Sequence, residues 1–152
     1  MLNLLKSIFG GFSKKKSTKF IIDSKLGKLT NEYSEKDNYY SWDFELKRKK
    51  GEKIAFSLDG NLNAPFNDVL QKAYIIVDTV DNLFEKVQAE LNIKFAEKKI
   101  NLTNDFALED IFIYKDEETG SVDFDLEFYS EGSEIMISVE FVNDKIEIIE
   151  FY

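Results

Sequence analysis

The chain has 152 residues, with 29 Asp and Glu against 20 Lys and Arg, and it contains neither histidine nor cysteine. That length is typical of one domain, and an apolar share of 43% is enough to build a core, which excludes wholesale disorder. The lack of cysteine excludes disulfides, thiolate nucleophiles and cysteine-based zinc sites, and the lack of histidine excludes Ser-His-Asp and Cys-His catalysis. We therefore expect a protein that is not an enzyme and that needs no cofactor.

Charge is divided unevenly along the chain. Residues 1–53 carry a net charge of +6, whereas residues 54–152 carry −15. Residues 100–152 hold 15 acidic residues, and their only bases are Lys115 and Lys145. A negative potential of this size repels nucleic-acid phosphates and anionic lipids and attracts basic proteins, although it also simply favours solubility. The C-terminal third therefore predicts a basic protein partner and no direct binding of nucleic acid.

The first 18 residues are predicted to form an apolar and basic head segment, followed by a single domain over residues 19–152. The apolar stretch Met1–Phe12 is shorter than the roughly 20 residues of a membrane span, and it lacks the features of a secretory signal. Four of its apolar residues share one face of a short helix: Leu2, Leu5, Ile8 and Phe9. Two interpretations stay open, a helix that docks or frays and a weak membrane-interface anchor aided by the following lysines. We expect no stable membrane insertion and a cytoplasmic location.

Alternation of apolar and polar residues from Lys19 onwards predicts a first β-meander of about four strands. Phe20–Ile22 is the first short strand, and Leu26–Leu29 begins the second. A Lys-Lys-Gly-Glu turn joins the next two strands. Each is apolar at every second position, with Trp42, Phe44 and Leu46 in one and Ile54, Phe56 and Leu58 in the other. Such alternation gives each strand one apolar and one polar side.

The middle of the chain predicts a long amphipathic helix. Pro65 suits the first helical position. After it, apolar residues recur at spacings of three and four: Val69, Ala73, Ile76, Val80, Leu83, Val87 and Leu91. This pattern indicates a helix of about 30 residues, and a second apolar row widens its stripe. A wide stripe favours packing across a sheet over the narrow seam of a coiled coil.

The C-terminal third predicts a second β-meander. Its alternating segments are separated by short turns: Ile111–Tyr114, Val122–Phe128, Ile135–Phe141 and Ile146–Glu150. Four strands joined in this way are antiparallel. The predicted fold class is therefore α+β, with antiparallel β-meanders before and after one long amphipathic helix that packs on the sheet.

Acidic residues alternate with the apolar ones in this second meander. If the apolar side chains face the helix, these carboxylates project from the opposite face: Asp123, Asp125, Glu127 and Glu140. Carboxylates that face solvent stay hydrated and ionised, so we expect neither the desolvated acid of a hydrolase nor a metal site with convergent oxygens. Tyr129 and Tyr114 are expected at the rim of this surface, since tyrosine is a favoured interface anchor. These six residues form the candidate partner-binding surface.

One short segment, Phe20–Leu29, resembles the opening of small uncharacterised bacterial domains, in which a strand is followed by Asp-x-x-Leu-Gly and another strand. Its sequence is Phe-Ile-Ile-Asp-Ser-Lys-Leu-Gly-Lys-Leu. The hairpin around Trp42, the central helix and the closing acidic strands follow the same layout over residues 19–152. Such domains recur among immunity proteins of bacterial polymorphic and contact-dependent toxin systems. The resemblance implies a non-catalytic immunity protein that binds and neutralises a cognate toxin. A nucleic-acid-mimicking inhibitor and a structural or adaptor domain remain as alternatives.

Overall fold

The computed structural model describes residues 15–152, which form one eight-stranded sheet and one long helix. The strands are β1 Lys15–Asp23, β2 Gly27–Ser34, β3 Tyr39–Lys47, β4 Lys53–Gly60, β5 Phe106–Lys115, β6 Val122–Ser130, β7 Met136–Val142 and β8 Lys145–Phe151. The helices are α1 Asn67–Lys94 and the one-turn α2 Leu102–Asp105, with single 3-10 turns at Lys49–Gly51 and Ala96–Lys98. β1 begins inside the predicted head segment, and the short helix predicted in Met1–Phe12 lies outside the described residues.

The order of the strands across the sheet is the same as their order along the chain. β1 to β4 form one antiparallel meander and β5 to β8 form a second, while β4 and β5 pair in parallel at the centre. A parallel pair requires a long crossover, and α1 provides it. The predicted combination of strands with one long helix is confirmed. The meanders are confirmed in part, because the sequence patterns did not predict that they join through a parallel pair into one continuous sheet.

Helix α1 buries one stripe of apolar residues against the sheet. Its buried members are Val69, Ala73, Ile76, Val80, Val87 and Leu91, all of which belong to the predicted stripe. The helix starts two residues later than predicted, because Pro65 forms an isolated bridge with Gly60 and Phe66 occupies the N-cap. Within residues 15–152, no helix combines the length and apolarity needed to cross a membrane.

The core lies between α1 and one face of the sheet. Two pairs of phenylalanine rings stack across neighbouring strands in this layer, Phe44 with Phe56 at 4.6 Å and Phe124 with Phe141 at 4.5 Å between ring centres. Burial of each such side chain contributes about 1.5–3 kcal/mol. Because side chains alternate along a strand, the neighbours of these core residues are forced onto the other face of the sheet.

Both edge strands of the sheet are irregular. The pairing of β1 with β2 shifts register between Lys16 and Phe20, and the pairing of β7 with β8 shifts between Glu140 and Phe141. Bulges at an edge increase the local twist and interrupt the row of hydrogen-bonding groups that another strand would need. The edges are therefore poor places for a partner strand to add.

Candidate functional site

The face of the sheet that is turned away from α1 is called the open face here. Its central row crosses all eight strands, as the cross-strand registers show: Phe20, Thr30, Asp43, Ser57, Phe112, Asp125, Glu140 and Ile148. The parallel pairing of β4 with β5 places Ser57 beside Phe112 and so joins the rows of the two meanders. Residues that are far apart in sequence thus share one continuous surface.

The open face is strongly acidic. Among the described strands, ten acidic residues belong to it by register and alternation: Glu32, Asp43, Glu45, Asp59, Asp110, Asp123, Asp125, Glu127, Glu140 and Glu150. Among the side chains that the structure describes on this face, the lysines lie towards strand ends: Lys28, Lys47, Lys53 and Lys145. The acidic surface therefore extends across both meanders, whereas the alternating pattern predicted it only in the second.

Three of the predicted site residues are buried, so the expectation of hydrated carboxylates is wrong for them. Asp123, Asp125 and Glu127 are 4%, 3% and 2% exposed, while Glu140 is partly exposed. All three lie on β6, an inner strand whose neighbours β5 and β7 place side chains on either side of them. Alternation had predicted the correct face, but the flanking side chains shield these carboxylates from water.

Tyrosine hydroxyls donate hydrogen bonds to the buried carboxylates. Tyr114 donates to Asp125 Oδ1 at 3.1 Å and lies 3.4 Å from Glu140 Oε1, and Tyr129 donates to Glu127 Oε2 at 3.1 Å. Tyr114 is 7% exposed, so its predicted position at the rim is wrong, whereas Tyr129 is half-buried. The ring that was expected to contact a partner instead covers Asp125.

Burial and neighbouring charge change the pKa values of Asp125 and Tyr114. Burial, followed by the negative charges of Glu140 and Glu127, raises the pKa of Asp125 to about 7, against the lowering effect of the Tyr114 hydrogen bond. Burial and then the Asp125 and Glu140 carboxylates raise the pKa of the Tyr114 hydroxyl. Asp125 is therefore partly protonated near neutral pH, which reduces the repulsion inside the cluster.

A fourth buried carboxylate lies at the junction of the two meanders. Asp59 of β4 is 8% exposed, and its Oδ2 accepts a hydrogen bond of 2.9 Å from the backbone N–H of Lys115. The Tyr39 hydroxyl donates to its other oxygen, and burial, followed by the Asp59 charge, raises the pKa of that hydroxyl well above its usual value. Asp59 was not among the predicted site residues, although its position next to Leu58 in an alternating strand placed it on the polar side.

A concave hollow lies in the open face where β2, β3, β4 and β5 meet. We call it the central hollow; its volume is about 480 Å³, and carboxylates of Glu32, Asp43, Glu45 and Asp110 line it together with Lys28, Thr30, Ala55, Ser57 and Phe112. The Ser57 hydroxyl donates to Asp43 Oδ1 at 2.9 Å. Ala55 is exposed even though β4 is an inner strand, so the floor of the hollow is open to solvent.

Large apolar side chains flank the acidic part of the open face on both sides. Phe20 and Ile22 of β1 are 55% and 71% exposed, and Ile148 and Tyr152 at the β8 edge are 39% and 42% exposed. Charged groups in the middle with exposed apolar groups beside them are features of surfaces that bind other proteins. No group of three or more acidic residues in the described chain is arranged to hold a metal ion.

Neither the known protein families, nor the curated proteins, nor the solved structures include a match to this chain.

Proposed function

We propose that this protein is a non-catalytic binding protein that takes up a basic partner protein on its open face. The observation that carries the proposal is the composition of that face, with ten acidic side chains from seven neighbouring strands and lysines towards the strand ends. Complementary charge accelerates encounter and suppresses wrong partners. The exposed apolar residues at the two margins supply the contacts from which most binding energy comes.

The partner is best understood as a toxin that the protein neutralises in the cytoplasm, which makes the protein an immunity protein. The resemblance of Phe20–Leu29 to the opening of immunity-protein domains supports this partner. A single sheet braced by α1 is also suited to blocking another protein, because a surface that is already ordered loses little conformational entropy on binding.

The burial of each acidic residue decides how that residue contributes to binding of the partner. Asp123, Asp125 and Glu127 are too buried to touch a partner, so they act through the potential that they create at the surface, to which Asp125 adds less because it is partly protonated near neutral pH. Glu45 and Glu140 are accessible and are the proposed direct contacts, together with half-buried Tyr129 of the sequence-predicted set.

The geometry favours binding over catalysis. Asp125 has a pKa suited to acid–base chemistry, but it is 3% exposed. The central hollow is lined by neither Asp125 nor Glu140, so the carboxyl with the raised pKa does not face this cavity.

The test expresses the product of the neighbouring reading frame, which the proposal expects to be a toxin, in bacteria and measures whether this chain protects them. Cells that co-express the wild-type chain are expected to survive, and the double variant Glu45→Lys with Glu140→Lys is expected to lose protection. The control reverses the same two charges on exposed residues away from the sheet, Glu85→Lys with Glu97→Lys, and keeps protection. Full protection by the open-face variant, with its melting temperature unchanged, would contradict the proposal. Equal binding to several unrelated DNA-binding proteins would instead favour a nucleic-acid mimic.

A further inference from the structure

Two carboxyl groups that share one tyrosine hydroxyl, Asp125 and Glu140, tie the charge of the open face to pH. Resting on the proposed function, we infer that binding of the basic partner releases a proton from Asp125 to solvent, so that the partner binds more tightly as the pH rises through neutrality. This coupling regulates the open face and requires no contact between the partner and Asp125.

The geometry of the pair leaves room for one proton. Asp125 and Glu140 lie directly opposite each other on β6 and β7. The Tyr114 hydroxyl oxygen lies 3.1 Å from Asp125 Oδ1 and 3.4 Å from Glu140 Oε1, and its single proton can serve only one of them. In the described part of the chain, no lysine or arginine forms an ion pair with either carboxyl group. Two like charges this close in a poorly hydrated site disfavour each other, so the pair retains a proton.

Burial decides which carboxyl group keeps that proton. Asp125 is 3% exposed, whereas Glu140 is partly exposed and stays in contact with water. The titratable groups of the described strands that face Asp125 are Tyr114 from β5, Glu140 from β7, and Asp123 and Glu127 from its own strand. Three of these four are acidic, and the pKa of about 7 for Asp125 agrees with the geometry.

Glu140 links the partner to the proton on Asp125. It is accessible and is one of the proposed direct contacts. After burial, the negative charge of Glu140 is the largest effect that raises the pKa of Asp125. A basic side chain that pairs with Glu140 offsets this charge, so the pKa of Asp125 falls and its proton leaves. A complex that forms with loss of a proton is favoured by higher pH.

The size of the coupling follows from the two protonation equilibria. A fall in the pKa of Asp125 from about 7 in the free chain to about 6 in the complex releases about 0.4 proton per complex at pH 7. The same fall raises the affinity about fivefold between pH 6 and pH 8.

The first measurement is carbon-13 NMR of the side-chain carboxyl groups of the full chain across neutral pH. Glu140→Gln removes the opposing charge and is expected to move the titration midpoint of Asp125 down from about 7. Tyr114→Phe removes the hydrogen bond that stabilises the carboxylate and is expected to move the midpoint up. The control is Glu85→Gln, the same change at an exposed position on α1, and it leaves the midpoint unchanged.

The second measurement is calorimetric titration with the product of the neighbouring reading frame, in phosphate and in Tris buffer at pH 7. The two ionisation enthalpies of the buffers give the number of protons released. The wild type is expected to release about 0.4 proton more than Asp125→Asn and to gain about fivefold more affinity than that variant between pH 6 and pH 8.

Two results would overturn the inference: a midpoint of Asp125 that Glu140→Gln leaves unchanged, or equal proton release by the wild type and Asp125→Asn. If either occurs while the chain still binds the product and protects cells, the proposed function stands without the proton coupling. If the product binds at no pH and cells are not protected, both fail.

Discussion

The buried carboxyl of Asp125 makes the stability of this protein depend on pH in an unusual direction. In the unfolded chain its pKa is near the ordinary value of 3.8, and burial beside Glu140 raises it to about 7 in the folded state. The folded protein therefore holds this proton more tightly than the unfolded chain does. The contribution of Asp125 is most favourable below about pH 4, and it is lost as the pH rises through about 7.

The perturbation that tests this reasoning is Asp125→Asn. Asparagine keeps the shape of the side chain and an oxygen that accepts the hydrogen bond from Tyr114, but it cannot ionise. A pKa difference of about three units at roughly 1.4 kcal/mol per unit makes the ionised carboxylate unfavourable by about 4 kcal/mol. We expect the variant to be more stable than the wild type at pH 8.5, with a gain that grows by about 2 kcal/mol between pH 5.5 and 8.5.

The measurement is urea unfolding of both chains across that pH range, followed by the fluorescence of the buried Trp42. Asp123→Asn is the matched control on the same strand. Its two carboxylate oxygens accept hydrogen bonds from the Asn143 N–H at 3.0 Å and the Ser121 hydroxyl at 2.7 Å, so the amide should cost about 1 kcal/mol. A variant Asp125→Asn that is less stable than the wild type at pH 8.5, or whose difference from it does not change with pH, refutes the reasoning.

Two further changes test the packing and the turn chemistry that hold the sheet in place. Gly60→Ala should destabilise the fold by about 2–3 kcal/mol in urea unfolding, because the new Cβ would lie 2.5 Å from the Ala64 carbonyl oxygen and 2.7 Å from Cδ1 of Trp42. An unchanged unfolding midpoint would contradict that close approach. Asp23→Asn should lower the free energy of unfolding at pH 7, and the difference from the wild type should shrink below about pH 4. Burial raises the pKa of Asp23, but hydrogen bonds from Tyr74 and two backbone N–H groups outweigh this effect, so the pKa is lowered in the folded state. A margin in thermal melts that stays constant from pH 7 to pH 3 would show that charge has no part in it.

Local periodicity was sufficient to predict the helix and, where the pairing contains no bulge, the side of the sheet on which a strand residue lies; the bulge in β8 puts Ile146 and Ile148, predicted on one side, on opposite faces. The spacing from Val69 to Leu91 is a property of one segment, and the structure buries that stripe. Alternation likewise placed Asp125 opposite the core. Its burial did not follow from alternation, because it depends on Phe112 and Glu140 in neighbouring strands and on the Tyr114 ring, which the strand registers bring together.

The parallel pair at the centre of the sheet could not be predicted for a related reason. The registers of β4 and β5 match residues about 55 positions apart, such as Ser57 and Phe112, and no turn sequence encodes that pairing. The central hollow is built across this junction, so its existence was also hidden from any single segment of the sequence.

Because the strands lie in the sheet in the same order as in the chain, most of the sheet can fold through local contacts. Six of the seven strand pairings join consecutive strands through short turns, so each meander can close its ladders with little loss of loop entropy. The seventh, β4 with β5, must wait until the crossover has brought distant segments together. Refolding should therefore be limited by that one non-local step, and the surface that spans both halves comes into being last.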